Sequence, residues 1–332
     1  MERVVLGIES TAHTYGVGIC TLDGQILFNE KSSLTTEQGG IHPREAARHH
    51  ASYAPDILHK ARKFITDSGY EFAGVSVALG PGLGPCLRVG AVSARALSLS
   101  ERIPLIPVNH SIGHLEVARK FSKTPDPVFL FVSGGNTAVV MHSGDRYHVL
   151  GETHDMAIGN MLDVLAREMG FGFPGSPRLL GLAERGGRLL DLPYSVNGQD
   201  VSFTGMLTAA KRLLRQGADP VDVAYSVTET AFSMLTEVVE RAVALSGRKE
   251  VSLTGGVARA SNLADKLGNM CNERGIEFTV VPAEYAGDNG AMISLVGSLL
   301  FGCGRSVKVE SSLVKPRWRI EDVEVPWIKS SV

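Results

Sequence analysis

The sequence predicts an α/β protein built as two lobes, and three observations carry that expectation. Short apolar runs bounded by turn residues alternate with longer amphipathic stretches. Glycine is abundant, 37 of 332 residues or about 11% against an average of about 7%, and it gathers at the ends of the strand-like runs. The third observation is an internal similarity. Val4-Val5-Leu6-Gly7-Ile8-Glu9-Ser10-Thr11, followed by the run 16–22, has the plan of Val128-Phe129-Leu130-Phe131-Val132-Ser133-Gly134-Gly135-Asn136-Thr137, followed by 138–142. Both read apolar strand, small or hydroxyl-bearing turn, apolar strand. Two unrelated hairpins would give the same pattern, but a third small-residue turn, Leu253-Thr254-Gly255-Gly256-Val257, favours a duplicated fold. Facing turns of this kind suit phosphates, because backbone N–H groups approach an anion closely only where side chains are small.

In chain order, strands are expected at 4–8, 16–22, 74–79, 127–132, 138–142, 251–253 and 277–281, where aliphatic and aromatic residues stand between turn residues. Helices are expected at 43–64, opened by a proline suited to a first turn, and at 89–100, 111–120, 160–169, 221–244 and 262–274, where apolar residues recur at helical spacing. The uncharged stretch between Asp288 and Arg305 is broken by glycine and serine and falls short of the ~20 apolar residues a membrane span needs. It predicts a buried helix.

Composition narrows the function. With 44% hydrophobic and 20% charged residues, and Lys+Arg 33 against Asp+Glu 35 for a net charge of -2, the chain is neither disordered nor a polybasic arm that binds nucleic acid by charge alone. Any RNA must be held by a local patch or by helper subunits. Cys20, Cys86, Cys271 and Cys303 form no C-x-x-C pair, which argues against a disulfide framework or zinc ribbon and for a reducing cytoplasm. The apolar run near the N-terminus is too short, and too soon followed by Glu9, for a signal peptide.

His110-Ser111-Ile112-Gly113-His114 is the sharpest chemical signal. On a helix the two imidazoles lie one turn apart on one face, where they could share a metal or serve as capping and core histidines. Ser111 stands where a zinc peptidase of the H-E-x-x-H type has its Glu, which disfavours that chemistry. Asp288, in Gly287-Asp288-Asn289-Gly290-Ala291, is the best distant third ligand, and equally a helix N-cap. Ser133-Gly134-Gly135-Asn136-Thr137 suits an anion or an ordinary tight turn. Neither a Walker loop nor a Rossmann G-x-G-x-x-G opening a helix occurs. Asp163 is a carboxylate on an apolar helical face that needs a partner: a ribose hydroxyl, an adenine amine, or Arg167 one turn later.

Taken in order, Gly7-Ile8-Glu9-Ser10-Thr11-Ala12-His13-Thr14, Gly39-Gly40-Ile41-His42-Pro43, Gly80-Pro81-Gly82-Leu83-Gly84-Pro85, Asn109-His110-Ser111-Ile112-Gly113-His114, Val132-Ser133-Gly134-Gly135-Asn136-Thr137 and Gly287-Asp288-Asn289-Gly290-Ala291 resemble the universal tRNA threonylcarbamoyladenosine transferase family over nearly the whole chain. Gly40-Ile41-His42-Pro43 and Phe173-Pro174-Gly175 look closest to its archaeal and eukaryotic branch, the catalytic subunit of the KEOPS complex. The resemblance implies the actin-like ATPase (ASKHA) fold, two ribonuclease-H-like lobes around a central cleft. The lobes are expected at 1–125 and 126–325, the second with a helical insertion and the last helix returning to the first lobe. It implies transfer of a threonylcarbamoyl group from threonylcarbamoyl-AMP to N6 of the adenosine immediately 3′ of the anticodon in tRNAs reading ANN codons, releasing AMP.

Carried onto this sequence, the resemblance makes His110, His114 and Asp288 ligands of one divalent metal, iron or zinc. Phe131, Val132, Ser133, Gly134 and Gly135 would lie along the adenylate, with ATP or AMP as other possible ligands, and Asp163 and the Gly255-Gly256 turn would hold its nucleoside end. Glu9 is the candidate for positioning or proton transfer. Departures are equally specific: many archaeal relatives have Tyr where Phe131 stands, and Ser176, Leu180 and Ala260 replace a Gly, an acid and an Asn that contact nucleotide, so Leu180 and Ala260 remove polar partners for the ribose. Relatives in this branch work with tRNA, a kinase-like ATPase subunit, a dimerising subunit and a small tRNA-binding subunit, and no membrane. Some carry the kinase-like module fused at the C-terminus; the end of the chain soon after Trp327 leads us to expect none here. Competing readings are an ATPase or small-molecule kinase on the same fold, a metallopeptidase as the weakest, and a non-enzymatic scaffold.

Overall fold

A computed structural model describes residues 2–37 and 39–328. The first sheet is formed by β1 (Arg3–Glu9), β2 (Thr14–Thr21), β3 (Ile26–Ser33), β4 (Glu71–Gly80) and β5 (Leu105–Asn109), in the order β3-β2-β1-β4-β5. Between these strands run α1 (Pro43–Asp67) and α2 (Gly84–Glu101), and β5 leads directly into α3 (His110–Phe121). The second half opens with β6 (Val128–Val132), β7 (Thr137–Ser143) and β8 (Arg146–Glu152), then α4 (Ile158–Glu168), α5 (Ser176–Ala183), the two-residue strands β9 (Val196–Asn197) and β10 (Asp200–Val201), α6 (Thr204–Arg215) and α7 (Pro220–Ser246). It finishes with β11 (Glu250–Thr254), α8 (Ser261–Arg274), β12 (Glu277–Val280), α9 (Ala283–Ala286) and α10 (Gly290–Gly302).

The second five-stranded sheet has the order β12-β11-β6-β7-β8. In each sheet the first two connections are antiparallel hairpins and the last two strands join in parallel. The two sheets therefore share one topology, and the hairpin similarity in the sequence is its local trace. β1 and β6 occupy the centres and are covered on both faces, which is why they read as unbroken apolar runs rather than alternating ones.

α10 packs on the first sheet, although it follows the second sheet in the chain. Glycine makes that approach possible: a Cβ on Gly18 would lie 2.3 Å from the amide N of Ala291, and one on Gly290 would lie 2.1 Å from the amide N of Gly18. On the sheet's other side Ala54, Ile57, Ala61 and Ile65 of α1 join Val4, Leu6 and Ile8 in one core. α3 and α10 fill the space between the sheets, with Ile112, Leu115, Met292 and Ile293 packing against Phe129 and Phe131 of β6. α4 to α8 bury the outer face of the second sheet.

Two further contacts tie the halves. Glu250, wholly buried, grips the connecting segment after α3: its Oε1 accepts from the amide of Lys123 at 2.9 Å and its Oε2 from the amide of Thr124 at 2.6 Å. Thr36 and Phe173 exchange a reciprocal pair of backbone hydrogen bonds, both 2.8 Å, and the His13 ring stands edge-on to that of Phe173 at 5.4 Å. α2 begins at Gly84, five residues earlier than expected at Val89, because Pro85 fits a first helical turn where no amide donor is needed.

Candidate metal and nucleotide site

Asn109 decides where α3 starts. Its Oδ1 accepts from the amides of Ser111 at 2.9 Å and Ile112 at 3.3 Å, so the capping duty falls to this residue and not to either histidine. Four residues apart on the helix, His110 and His114 then present their rings to one face, with centroids 4.8 Å apart. Asp288 is released from capping in the same way. Asn289 is the cap of α10, accepting from the amide of Met292 at 3.0 Å and pinning the preceding turn through Nδ2 to the carbonyls of Tyr285 and Gly287.

The Asp288 carboxylate is thus free to face the imidazoles. Its Oδ1 lies 3.3 Å from Nε2 of His114 and 3.6 Å from Nε2 of His110. One ligand-type atom from each of the three residues falls within 4.8 Å of the others. Atoms bound at about 2.0–2.2 Å around a common ion lie about 3–4 Å apart, as Asp288 Oδ1 does from the two imidazole nitrogens, and two imidazoles with one carboxylate form a familiar donor set with open positions. Glu9 completes the arrangement from β1. Its Oε2 is 2.8 Å from Nδ1 of His110, while Oε1 accepts from the amide and hydroxyl of Thr11 at 2.6 and 2.5 Å. A proton held on Nδ1 by that carboxylate leaves the Nε2 lone pair directed to the side of Asp288.

Electrostatics agree with a site made for positive charge. Burial works against a charged His110, but the carboxylates of Glu9 and Asp288 outweigh it and push its pKa up to about 9. For His114 burial wins, opposed only in part by Asp288, and the pKa falls. Burial would raise Asp288; His110 and His114 overcome it, with His13 helping, and hold the carboxyl well below the usual range. His13, from the turn after β1, is a participant that sequence reasoning carried only inside a motif.

The other expected residues form a second cluster at the end of β6. Phe131 is buried beside the metal-ligand candidates, its ring 4.9 Å from that of His114, and its hydrocarbon edge offers no donor atom. Beyond Val132, the Ser133 hydroxyl accepts from the amides of Gly135 at 3.3 Å and Asn136 at 3.0 Å, folding the turn on itself with Gly134 and Gly135 exposed. Gly255 must be glycine here: its φ is +97°, and a Cβ would lie 2.1 Å from the carbonyl oxygen of Val132. The two small-residue turns therefore lie against each other, and Gly159 at the start of α4 completes the cradle.

Asp163 has a protein partner that the sequence did not suggest. Its Oδ1 accepts from the amides of Gly175 at 3.0 Å and Ser176 at 2.7 Å, so it secures the start of α5. Arg167 reaches across to Gly40 instead of pairing with Asp163. Leu180 is half-buried against the core of the second half, and Ala260 is buried at the start of α8. Neither is brought to the histidine cluster.

Comparison with known proteins identifies the family. A family model described as TsaD, tRNA N6-adenosine threonylcarbamoyltransferase, matches residues 25–295. A protein of that name from Thermofilum pendens is 53% identical over 324 residues, 97% of this chain and 96% of the relative. One of the same name from Caldivirga maquilingensis is 47% identical over 99% of both chains. A Methanothermobacter thermautotrophicus protein named a probable bifunctional tRNA threonylcarbamoyladenosine biosynthesis protein is 48% identical over 98% of this chain, which spans 61% of that longer relative. Among solved structures, T. kodakarensis HypF superposes with a TM-score of 0.61 at 14% identity, covering 91% of this chain and 48% of HypF. The activator of the 2-hydroxyisocaproyl-CoA dehydratase from Clostridium difficile gives 0.53 at 13% identity, covering 93% and 99%. These structural neighbours identify the actin-like ATPase fold, and from the match to its family model and to full-length relatives this chain belongs to the tRNA N6-adenosine threonylcarbamoyltransferase family of enzymes.

Proposed function

We propose that the transfer runs from threonylcarbamoyl-AMP to N6 of the adenosine 3′ of the anticodon, at a centre where His110, His114 and Asp288 hold one divalent cation, iron or zinc. The observation that carries this reading is the convergence of these three residues, with Glu9 orienting His110 at 2.8 Å. A cation bound there supplies Lewis-acid polarisation of the carbamoyl carbonyl. The amine nitrogen attacks that carbon, the bond from the carbon to the phosphate oxygen breaks, AMP leaves and the amine gives up a proton.

Both Glu9 oxygens are engaged by Thr11 and His110, which suits a positioning residue rather than a free base. The turn at Ser133–Gly135 would lie along the adenylate, and the Gly255-Gly256 turn would hold its nucleoside end. Asp163 commits Oδ1 to α5, so its second oxygen is the one for a ribose hydroxyl. In this reading the lobes divide as 1–125 and 126–325, and the partners are tRNA and the kinase-like, dimerising and small tRNA-binding subunits of a KEOPS-type complex in the cytoplasm. No helix among the described residues is long and apolar enough to cross a membrane.

The test is a reconstituted reaction with those subunits, threonylcarbamoyl-AMP and an unmodified ANN-reading tRNA, followed by nucleoside mass spectrometry. Threonylcarbamoyladenosine should form with the intact chain and disappear with His110→Ala, which should also lose bound metal. Normal product from a metal-free His110→Ala protein sinks the mechanism.

A further inference from the structure

Lys31 and Arg259 reach the same short segment of chain from different sheets. Lys31 stands on β3 opposite Gly16 of β2, and its ammonium donates to the carbonyl of Asp288 at 3.1 Å. Arg259 closes the short helical turn after β11. Its Nη2 donates to the carbonyl of Ala283 at 2.7 Å and lies 3.6 Å from where a Cβ on Gly287 would be. One of three ammonium donors and one of five guanidinium donors are used by these bonds, leaving the rest for a ligand.

Among the described residues, neither cation has a carboxylate within ion-pair distance. Asp288, whose carbonyl accepts from Lys31, gives Oδ1 to the two imidazoles. Two cations that donate to carbonyls of the same segment, 283–288, and have no carboxylate partner keep donors that a small oxyanion can take.

We propose that Lys31 and Arg259 are a clamp for an oxyanion of the donor, its phosphate or its threonyl carboxylate, making them substrate-positioning residues of the transferase. The inference rests on the reaction proposed above. The donor is favoured over a tRNA phosphate because Lys31 is partly buried and lies against the backbone of Asp288, one of the three proposed metal ligands. The side chains of Leu180 and Ala260 offer no hydrogen bond to a ribose, so anchoring of the donor falls to charge. Charge-assisted hydrogen bonds of this type are strong enough to carry it.

The experiment is calorimetric titration of the metal-loaded protein with AMP, adenosine and N-carbamoyl-threonine, for the wild type, Lys31→Met, Arg259→Met and Lys31→Arg. If the clamp grips phosphate, each methionine variant weakens AMP by about tenfold and leaves adenosine and N-carbamoyl-threonine unchanged. If it grips the carboxylate, N-carbamoyl-threonine weakens by that factor and AMP does not. In either case KM for the donor rises about tenfold with kcat nearly constant, and Lys31→Arg restores most of the loss. Equal weakening of adenosine and the anions, or unchanged affinity for both anions, overturns the clamp, as does a loss confined to tRNA affinity. A wild-type chain that binds the anions through this pair but modifies no tRNA overturns the reaction and leaves the clamp standing.

Discussion

The carboxylate of Glu9 holds the imidazole of His110 across 101 residues of sequence, Oε2 to Nδ1 at 2.8 Å with both side chains buried. This contact sets which nitrogen of His110 carries its proton. Replacement of Glu9 by Ala should lower metal affinity by about 10–100-fold while leaving the fold intact, because an outer carboxylate tunes the ligand without touching the ion. Competition with a chelator, read by metal analysis of the protein, checks this. Unchanged affinity would show that the tautomer is set elsewhere.

The seat of α10 on the first sheet gives a second expectation. Gly18→Ala places a methyl 2.3 Å from the backbone N of Ala291, which cannot yield as a flexible side chain would. Stability should fall by about 3 kcal/mol or more, and bound metal should fall with it because Asp288 stands two residues before α10. Gly205→Ala, in α6 with nothing within 4 Å of the added methyl, is the control and should be neutral or slightly stabilising. Urea denaturation distinguishes them.

The bridge between Thr36 and Phe173 should respond to a substitution at a third residue, Gly172. A Cβ on Gly172 would lie 2.2 Å from the carbonyl oxygen of Thr36. Gly172→Ala should therefore separate the pair, costing about 1–2 kcal/mol. Amide hydrogen exchange should speed up at Thr36 and Phe173 and stay slow in β6. Retained protection at both amides would show that the bridge does not depend on this close approach.

His50 predicts a pH dependence. Wholly buried on α1, it contacts the carbonyl of Ala12 through Nε2 at 3.1 Å. Burial first, then the neighbouring His49, pulls its pKa down to about 4 despite opposing pulls from Glu9 and the Ala12 carbonyl. The folded state then binds its proton less readily than the unfolded chain. Its contribution is complete above pH 6.5 or so and is lost as pH falls toward 4, by about 2–3 kcal/mol in all. Urea midpoints between pH 7 and 4 should fall less steeply in His50→Gln than in the wild type.

Much of the framework is legible in the chain. β1, β2, β4, β6, β7, β11 and β12 stand where apolar runs predict them, and α1, α3, α4, α7 and α8 where helical spacing does. β3, β5 and β8 escaped for physical reasons. β3 and β8 are sheet edges with mixed polar sequences, and β5 is five residues long with Pro107 inside it. α5 and α6 lie in the stretch that covers the second sheet, where packing rather than local signal decides.

The sequence by itself determined what depends on near neighbours: strand and helix periodicity, the paired hairpins, and two histidines one turn apart on a helix. It also supplied an ordered set of motifs specific enough to identify the family. Only the tertiary structure decided that Glu9 meets His110, that Asn289 caps α10 and frees Asp288, that Asp163 holds α5, and that Lys31 and Arg259 converge. Those partners are set by sheet order and by the glycine contacts that seat α10, which bring together side chains far apart in the chain. No local pattern encodes such a distance.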